Sequence, residues 1–198
     1  MWFGPIMCSL PLSIARLLTG LLLWTQFGFT ATVPEPPKLS FLYTAYVECE
    51  DNLMTAAVGP HGIRKAIPII GGNFSGPHLS ALYLNSTGKI LNVGADWGLT
   101  DPHTNIFSAD TRYNLRTDDG ADIFIQTSGP KAPDNHLHLR LVFETGSPKY
   151  YWLNNIVAIG ILTSGLPAPS NISLLRIDAW NFASDWNATH FVNTSAAV

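Results

Sequence analysis

Candidate catalytic chemistry centres on Asp96, which stands between Gly94-Ala95 and Trp97 in the middle of the chain. An aromatic ring beside this carboxyl would shield it from water and raise its pKa toward a range useful for proton transfer. A turn, or an ion pair with Arg112, is the alternative explanation of the same residue. The sequence therefore predicts Asp96 as a candidate proton-transfer group and leaves the structural alternative open.

Arginines and large aromatic residues in several segments suggest a ligand-binding site. Arg112, Arg140, Tyr150 and Trp152 could bind an oxygenated apolar molecule through guanidinium hydrogen bonds and ring stacking, with Trp97 shaping the same pocket. The same residue types also build polar networks that close a barrel. These five residues are therefore predicted to bind substrate, with a structural role as the alternative.

Metal and thiol chemistry are not predicted. His136 and His138 share one side of a strand, with His103 and Glu144 as further candidate ligands, but solvated strand histidines explain the pattern more simply. Cys49 is the one cysteine outside the leader, so an internal disulfide is excluded and a buried apolar role is expected. The chain lacks the Gly-x-Ser-x-Gly, phosphate-loop, dinucleotide and His-Glu-x-x-His motifs. Cofactor-free chemistry, or binding alone, remains.

Composition sets broad limits on the fold and its partners. The chain has 198 residues, of which 46% are hydrophobic and 13% charged, with 16 Gly and 14 Pro. This profile suits one β-rich domain with many turns rather than a helical bundle. A net charge of -3 provides no basic surface for phosphate backbones, so nucleic acid is not an expected partner.

Alternating apolar residues identify the strands that would position these side chains. From His136 to Glu144, four large apolar residues occupy one face, while His136, His138, Arg140 and Glu144 occupy the other. We expect the polar face to line an interior cavity, although alternation alone equally allows it to face water. The Asp119-Gly120 pair indicates a tight hairpin and a mainly structural Asp119.

The strand pattern predicts an all-β fold. Further strands are predicted at Leu39–Val47, Lys65–Ile70, Ala81–Leu84, Lys89–Val93, Arg112–Thr117, Ala121–Thr127, Tyr151–Leu162 and Ser173–Asn181. No amphipathic helix of three turns is found. We expect a single closed antiparallel β-barrel of about 8–10 strands in preference to a sandwich.

The ends of the chain indicate the secretory pathway. Arg16 precedes an apolar run that is shorter than the roughly 20 residues needed to span a bilayer. We therefore predict a signal peptide at 1–30, a proline-rich spacer at 31–38, the barrel at 39–183 and a flexible glycosylated tail at 184–198, with an uncleaved anchor as the alternative. The predicted glycan acceptors are Asn73, Asn85, Asn171, Asn187 and Asn193, of which Asn73 could be buried. Secretion or residence in the secretory lumen is expected, without stable membrane insertion.

Several blocks of this sequence together resemble a family of proteins. The blocks are Gly62-Ile63-Arg64, Pro68 to Gly72, Gly94 to Trp97, Asp110 to Tyr113, Thr117 to Ala121, Phe143 to Ser147 and Tyr150 to Asn154. They resemble the domain-of-unknown-function family numbered 3237 over roughly Leu39 to Trp180. The resemblance implies a compact antiparallel barrel, similar to the allene oxide cyclase and dirigent barrels that guide cyclisation or coupling without a cofactor. By position it covers Arg64, Gly71, Gly72, Asp96, Trp97, Asp110, Arg112, Tyr113, Asp119, Gly120, Arg140, Glu144, Tyr150, Trp152 and Asn154.

Two functional hypotheses follow. In the first, the barrel binds a small hydrophobic oxygenated molecule and promotes its isomerisation or cyclisation in secondary metabolism. Asp96 would move a proton, while Arg112 and Arg140 would hold an oxygen of the substrate. In the second, the same pocket belongs to a non-catalytic extracellular carrier. A homo-oligomer is compatible with either hypothesis.

Overall fold

The computed structural model describes residues 36–77, 79 and 88–183 of the chain. Within them, eleven strands follow one another, with one short 3₁₀ helix at Tyr151–Asn155 between the ninth and tenth. The strands are β1 Lys38–Cys49, β2 Met54–Thr55, β3 Ile63–Ser75, β4 Gly88–Ile90, β5 Gly94–Asp96, β6 Leu99–Thr100, β7 Phe107–Arg116, β8 Asp122–Pro130, β9 Leu137–Glu144, β10 Ala158–Leu166 and β11 Ser173–Ala183. Among these residues, no helix has the length and apolarity needed to cross a bilayer.

The strands close into an antiparallel barrel, as predicted. β1 pairs with β11 on one side and with β3 on the other, which joins the two ends of the sheet. The short strands β4, β5 and β6 each lie between β3 and β7 and together fill one position in the ring. β2 pairs with β3 just beyond the part of β3 that contacts β1. The barrel therefore has eight positions, because β2 extends the line of β1 and three strands share another position.

The alternating pattern of β9 is confirmed, but its polar face points outward. Leu137, Leu139, Leu141 and Phe143 are buried in the core. Arg140 and Glu144 are exposed on the outer surface. The expectation that these two residues line an interior cavity is therefore wrong, because burying the four apolar side chains removes far more apolar surface from water.

Aromatic side chains pack the middle of the barrel solidly. The ring of Tyr43 lies edge-on to Phe74 and Phe143, with centroid distances of 6.1 and 6.2 Å. All three side chains are buried. We call the end of the barrel near Glu50 and Lys131 the open end, and the end near the 3₁₀ helix the closed end.

The closed end differs from its predicted structure. Tyr151–Asn155 was predicted to begin a strand, yet these residues form the 3₁₀ helix and the strand starts only at Ala158. Leu153 is buried against the core. The Asn154 side chain accepts a hydrogen bond from the Thr145 amide and donates one to the Thr145 carbonyl, both at 2.9 Å. These contacts stabilise a turn of helix, although Tyr151 and Trp152 are residue types that favour a strand.

The hairpin between β7 and β8 lies at the same end. The Thr117 amide donates to the Ala121 carbonyl at 3.0 Å, and the Gly120 amide donates to the Thr117 carbonyl at 3.0 Å. Gly120 has a φ of 86°, whereas the φ of Asp119 is not positive. The connection is therefore a turn followed by one left-handed glycine rather than a tight turn with positive φ at both central positions.

Several sequence predictions fall outside the described residues. These are the signal peptide at 1–30, the spacer up to residue 35, the strand at Ala81–Leu84, the tail at 184–198, and the acceptors Asn85, Asn187 and Asn193. The other two acceptors are described. Asn73 is exposed on β3, although its segment was suspected of being buried, and Asn171 is exposed in the loop before β11.

Candidate active site

A cavity of about 450 Å³ occupies the open end of the barrel. Its wall is mainly aliphatic and is formed by inward-facing residues of several strands: Val47, Ile67, Ile69, Leu137, Leu162, Leu175 and Ile177. Phe107 and Tyr113 add aromatic surface, and the polar wall residues are Cys49, Asp96, Thr111 and Thr127. Exposed residues form the rim: Glu50, Asp51, Asn52, Lys131, Ser164 and Ser173. A cavity of this size and apolar character, with a few convergent polar groups, is typical of small-molecule sites.

Asp96 lies in the wall of this cavity. It ends β5, where it is paired in register with the buried Thr111 of β7. The Asp110 amide donates a hydrogen bond to Asp96 Oδ1 at 2.9 Å and holds the carboxyl in place. Burial raises the pKa of Asp96 above its ordinary value, and the hydrogen bond from Asp110 offsets only part of that effect. The carboxyl is thus positioned in the cavity and shifted toward a pKa useful for proton transfer.

The source of this pKa shift differs from the one predicted. Trp97 is 39% exposed and does not line the cavity, so its ring does not shield Asp96. Neighbouring residues of an extended chain point to opposite sides, which sends Asp96 inward and Trp97 outward. The barrel interior itself removes the carboxyl from water.

Arg112 also lies outside the cavity. It faces outward from β7, and its Nη1 atom lies 3.0 Å from Asp110 Oδ1. Arg64 Nη1 approaches the other oxygen of Asp110 at 3.7 Å and also donates to the Trp97 carbonyl. Arg112 therefore pairs with Asp110, and the suggested ion pair with Asp96 is not formed. This outer cluster joins three of the recognised sequence blocks on the surface of the barrel.

Tyr150 and Trp152 belong to the closed end. The buried Tyr150 hydroxyl donates to Asp119, with distances of 3.1 and 3.2 Å to its two carboxylate oxygens, and Lys149 Nζ lies 3.0 Å from Asp119 Oδ2. Trp152 packs partly buried against the core. Burial by itself would raise the pKa of Asp119, but hydrogen bonds from Thr117, Lys149 and Tyr150 hold that pKa below its ordinary value. This network supports the structural interpretation of Asp119.

Of the six predicted catalytic and binding residues, Asp96 is the one that lines the cavity. Substrate binding by Trp97, Arg112, Arg140, Tyr150 and Trp152 stays a prediction, and the geometry gives those residues no place in the cavity wall. The alternating pattern of β7 in the sequence could have identified further residues of the cavity wall. Thr111 and Tyr113 share the inward face of this strand, while Asp110 and Arg112 share the outer face.

Cys49, Thr111 and Thr127 complete the polar part of the wall. The two threonine hydroxyls are hydrogen-bonded to each other. Burial, together with the negative charge of Asp96, raises the pKa of the Cys49 thiol to about 12. The thiol is therefore protonated near neutral pH and has little nucleophilic character.

His136 and His138, considered above as candidate metal ligands, have separate hydrogen-bond partners. His138 Nε2 lies 3.0 Å from Asp134 Oδ2, and His136 Nδ1 lies 3.2 Å from Thr163 Oγ1. In the part of the chain that the structure describes, no three His, Cys, Asp or Glu side chains are grouped to hold a metal ion.

These features define a class of protein, the closed antiparallel β-barrels with one hollow and one packed end. Within that class, the chain belongs to the family described as "Protein of unknown function (DUF3237)", which matches residues 37–137. A UPF0311 protein of Rhodopseudomonas palustris is 28% identical over 140 residues, which cover 62% of this chain and 86% of that protein.

The chain is also similar to a solved barrel and to a named enzyme. A β-barrel-like protein of Acinetobacter baumannii has a crystal structure that matches with a TM-score of 0.60 and 31% identity, covering 77% of this chain and 99% of that one. The hydroalkoxylation enzyme phnH of Penicillium herquei is 28% identical over 134 residues, which cover 64% of this chain and 75% of that enzyme.

Proposed function

We propose that this protein is a cofactor-free enzyme that binds a small, largely apolar, oxygenated molecule and catalyses its isomerisation or cyclisation. The observation that carries the proposal is the Asp96 carboxyl, which lines a mainly apolar cavity and has a raised pKa. A general acid or base works best when its pKa lies near the operating pH, and burial moves a carboxyl in that direction. Secondary-metabolite biosynthesis is the proposed setting.

The relative named a hydroalkoxylation enzyme suggests the type of reaction. Hydroalkoxylation adds an O–H group across a carbon–carbon double bond. When both groups belong to one molecule, a C–O bond forms, the π bond breaks, the hydroxyl loses its proton and the other alkene carbon gains one. The product is an isomer of the substrate, so no electrons enter or leave. We propose that protonated Asp96 donates the proton to carbon and regains one from the hydroxyl.

The apolar wall would contribute by orienting the substrate. Holding the hydroxyl oxygen and the alkene carbon in reactive contact converts a slow encounter into a fast intramolecular step. The packed aromatic layer beneath the cavity gives the substrate a rigid floor, and exclusion of water strengthens electrostatic interactions with Asp96.

The test compares turnover with binding in Asp96→Asn. Phenols that carry an allyl or prenyl side chain serve as candidate substrates, and product formation is followed by chromatography with mass spectrometry in D₂O. In the native protein, one solvent-derived deuterium is expected on carbon. Asp96→Asn should lower kcat by about 10²- to 10⁴-fold, since that is the usual contribution of a general acid or base. Its substrate Kd should stay within about threefold, because the shape of the wall is unchanged.

Glu144→Gln is the matched control, because Glu144 is exposed on the outer face of β9. Its kcat and Kd should equal those of the native protein. Unchanged kcat in Asp96→Asn contradicts the catalytic role. If no candidate is converted and Asp96→Asn alters only affinity, the protein is better described as a carrier that uses the same cavity.

We also propose that the chain passes through the secretory pathway. The support comes from the apolar leader, the five Asn-x-Ser/Thr acceptors, and the exposure of Asn73 and Asn171. Glycan transfer to these two side chains meets no obstacle from burial.

A further inference from the structure

The buried hydroxyls of Tyr43 and Tyr113 leave one hydrogen-bond donor without an acceptor. Tyr113 is 1% exposed and lines the cavity, and its hydroxyl makes no hydrogen bond of normal geometry with any described residue. The Tyr43 hydroxyl interacts with that of Tyr113, but two hydroxyls share only one hydrogen bond, so one O–H of the pair remains unsatisfied. Leaving a buried polar group unsatisfied costs about 1–3 kcal/mol, so such a group in a cavity wall calls for an acceptor within the cavity.

The protonation states of the wall show which kind of acceptor fits. Burial raises the pKa of Tyr113 above its ordinary value, so the phenol keeps its proton and acts as a donor. Cys49 is also neutral. Among the described residues that line the cavity, Lys131 at the exposed rim is the one cationic side chain, and the buried wall contains no described Lys, Arg or His. A bound anion would therefore lose its hydration in this wall with no buried positive charge to compensate it.

We propose that the cavity selects an uncharged molecule whose carbonyl, ether or phenol oxygen accepts a hydrogen bond from Tyr113 while its apolar part contacts the aliphatic wall. This inference rests on the proposed use of the cavity as the ligand site. It makes Tyr113 the binding residue for the substrate oxygen. It also excludes carboxylates and phosphates of the same shape as ligands.

Three naphthalenes of similar shape test the proposal by fluorescence titration: 2-acetylnaphthalene, which has a carbonyl, 2-ethylnaphthalene, which has no acceptor, and 2-naphthoate, which is an anion at neutral pH. The native protein should bind the ketone at least 100-fold more tightly than the carboxylate. Tyr113→Phe should weaken binding of the ketone about tenfold, which corresponds to about 1.4 kcal/mol, and should leave the affinity for the ethyl compound unchanged.

Two variants sharpen this result. Tyr46→Phe removes the same atom from an exposed tyrosine on the outer face of β1 and should change none of the three affinities. Asp96→Asn should retain the preference for the ketone over the carboxylate, because protonated Asp96 and Asn are both uncharged and the anion is excluded by the cost of burying it. Thermal unfolding verifies that each variant is folded.

Equal binding of ketone and carboxylate overturns the proposal, as does a Tyr113→Phe effect that is equal for the ketone and the ethyl compound. Absence of binding by all three probes also overturns it. These readouts are independent of turnover. The expected selectivity in a protein that converts no candidate substrate would sustain this inference while contradicting the proposed enzymatic function.

Discussion

Asp119→Ala is expected to destabilise the closed end of the barrel and to leave the cavity intact. The Asp119 carboxylate accepts hydrogen bonds from Thr117, from Lys149 and from the fully buried Tyr150 hydroxyl. Removing it leaves that phenol without its acceptor. Asp119 therefore provides a direct contrast with Asp96, which is expected to matter for turnover and to have little influence on the closed end.

The size of the effect follows from the burial of each partner. A buried hydroxyl deprived of its acceptor costs about 1–3 kcal/mol. The ion pair with Lys149 adds only about 0–1 kcal/mol, because the Lys149 side chain is 47% exposed and water screens the pair. We expect the free energy of unfolding to fall by about 1–3 kcal/mol, with Tyr150 responsible for most of the loss. For a barrel of this size, each kcal/mol corresponds to about 2–4 °C in Tm.

Urea unfolding of four proteins measures this effect: the native chain, Asp119→Ala, Tyr150→Phe and the double variant. The double variant should lose less stability than the sum of the single variants, because Tyr150→Phe removes the hydroxyl that Asp119→Ala leaves unsatisfied. Binding of 2-acetylnaphthalene should be unchanged in all four. Full stability of Asp119→Ala, or loss of ketone binding by a folded Asp119→Ala protein, would refute the structural role.

Two other predictions concern pH and glycosylation. Because burial raises the folded-state pKa of Asp96, its stabilising contribution is complete below the unfolded pKa of about 3.9 and is lost as pH rises through the folded-state value. The free energy of unfolding of the native protein minus that of Asp96→Asn should therefore decrease from about pH 4 toward neutrality in urea titrations, and a constant difference would contradict the shift. In a eukaryotic secretory host, Asn73→Gln and Asn171→Gln should each reduce the gel shift produced by glycosidase. A native protein without any such shift would argue against secretion.

Strand alternation predicted the barrel well because period-two burial is a local property. β9, β11 and most of β1 lie where the pattern placed them, and the Asp119-Gly120 turn joins β7 to β8. Local signals failed where long-range contacts decide the conformation. The Tyr151–Asn155 segment became a 3₁₀ helix because Leu153 is buried and Asn154 bonds to Thr145, nine residues earlier. The short strands β5 and β6 were missed because each is defined only by its pairing with β3 and β7.

The candidate site was harder to predict than the fold. Asp96 could be selected from its type and neighbours, but the reason first given for its pKa shift was wrong, since the interior of the barrel rather than Trp97 removes it from water. Tyr113 stood beside Arg112 in the same sequence block, yet the two face opposite sides of β7. The roles of Tyr113 and Arg112 therefore depended on which face of β7 points into the barrel.

The amino-acid sequence by itself determined the family, the antiparallel strands and the choice of Asp96 as a candidate, because these depend on residue type and on spacing along the chain. Only the tertiary structure decided that Tyr113 and Cys49 share the cavity with Asp96, and that Arg112, Arg140 and Tyr150 lie elsewhere. Alternation separates the two faces of a strand without identifying the inner one. Closure of the sheet buries the more apolar face and thereby brings together side chains from strands far apart in the chain.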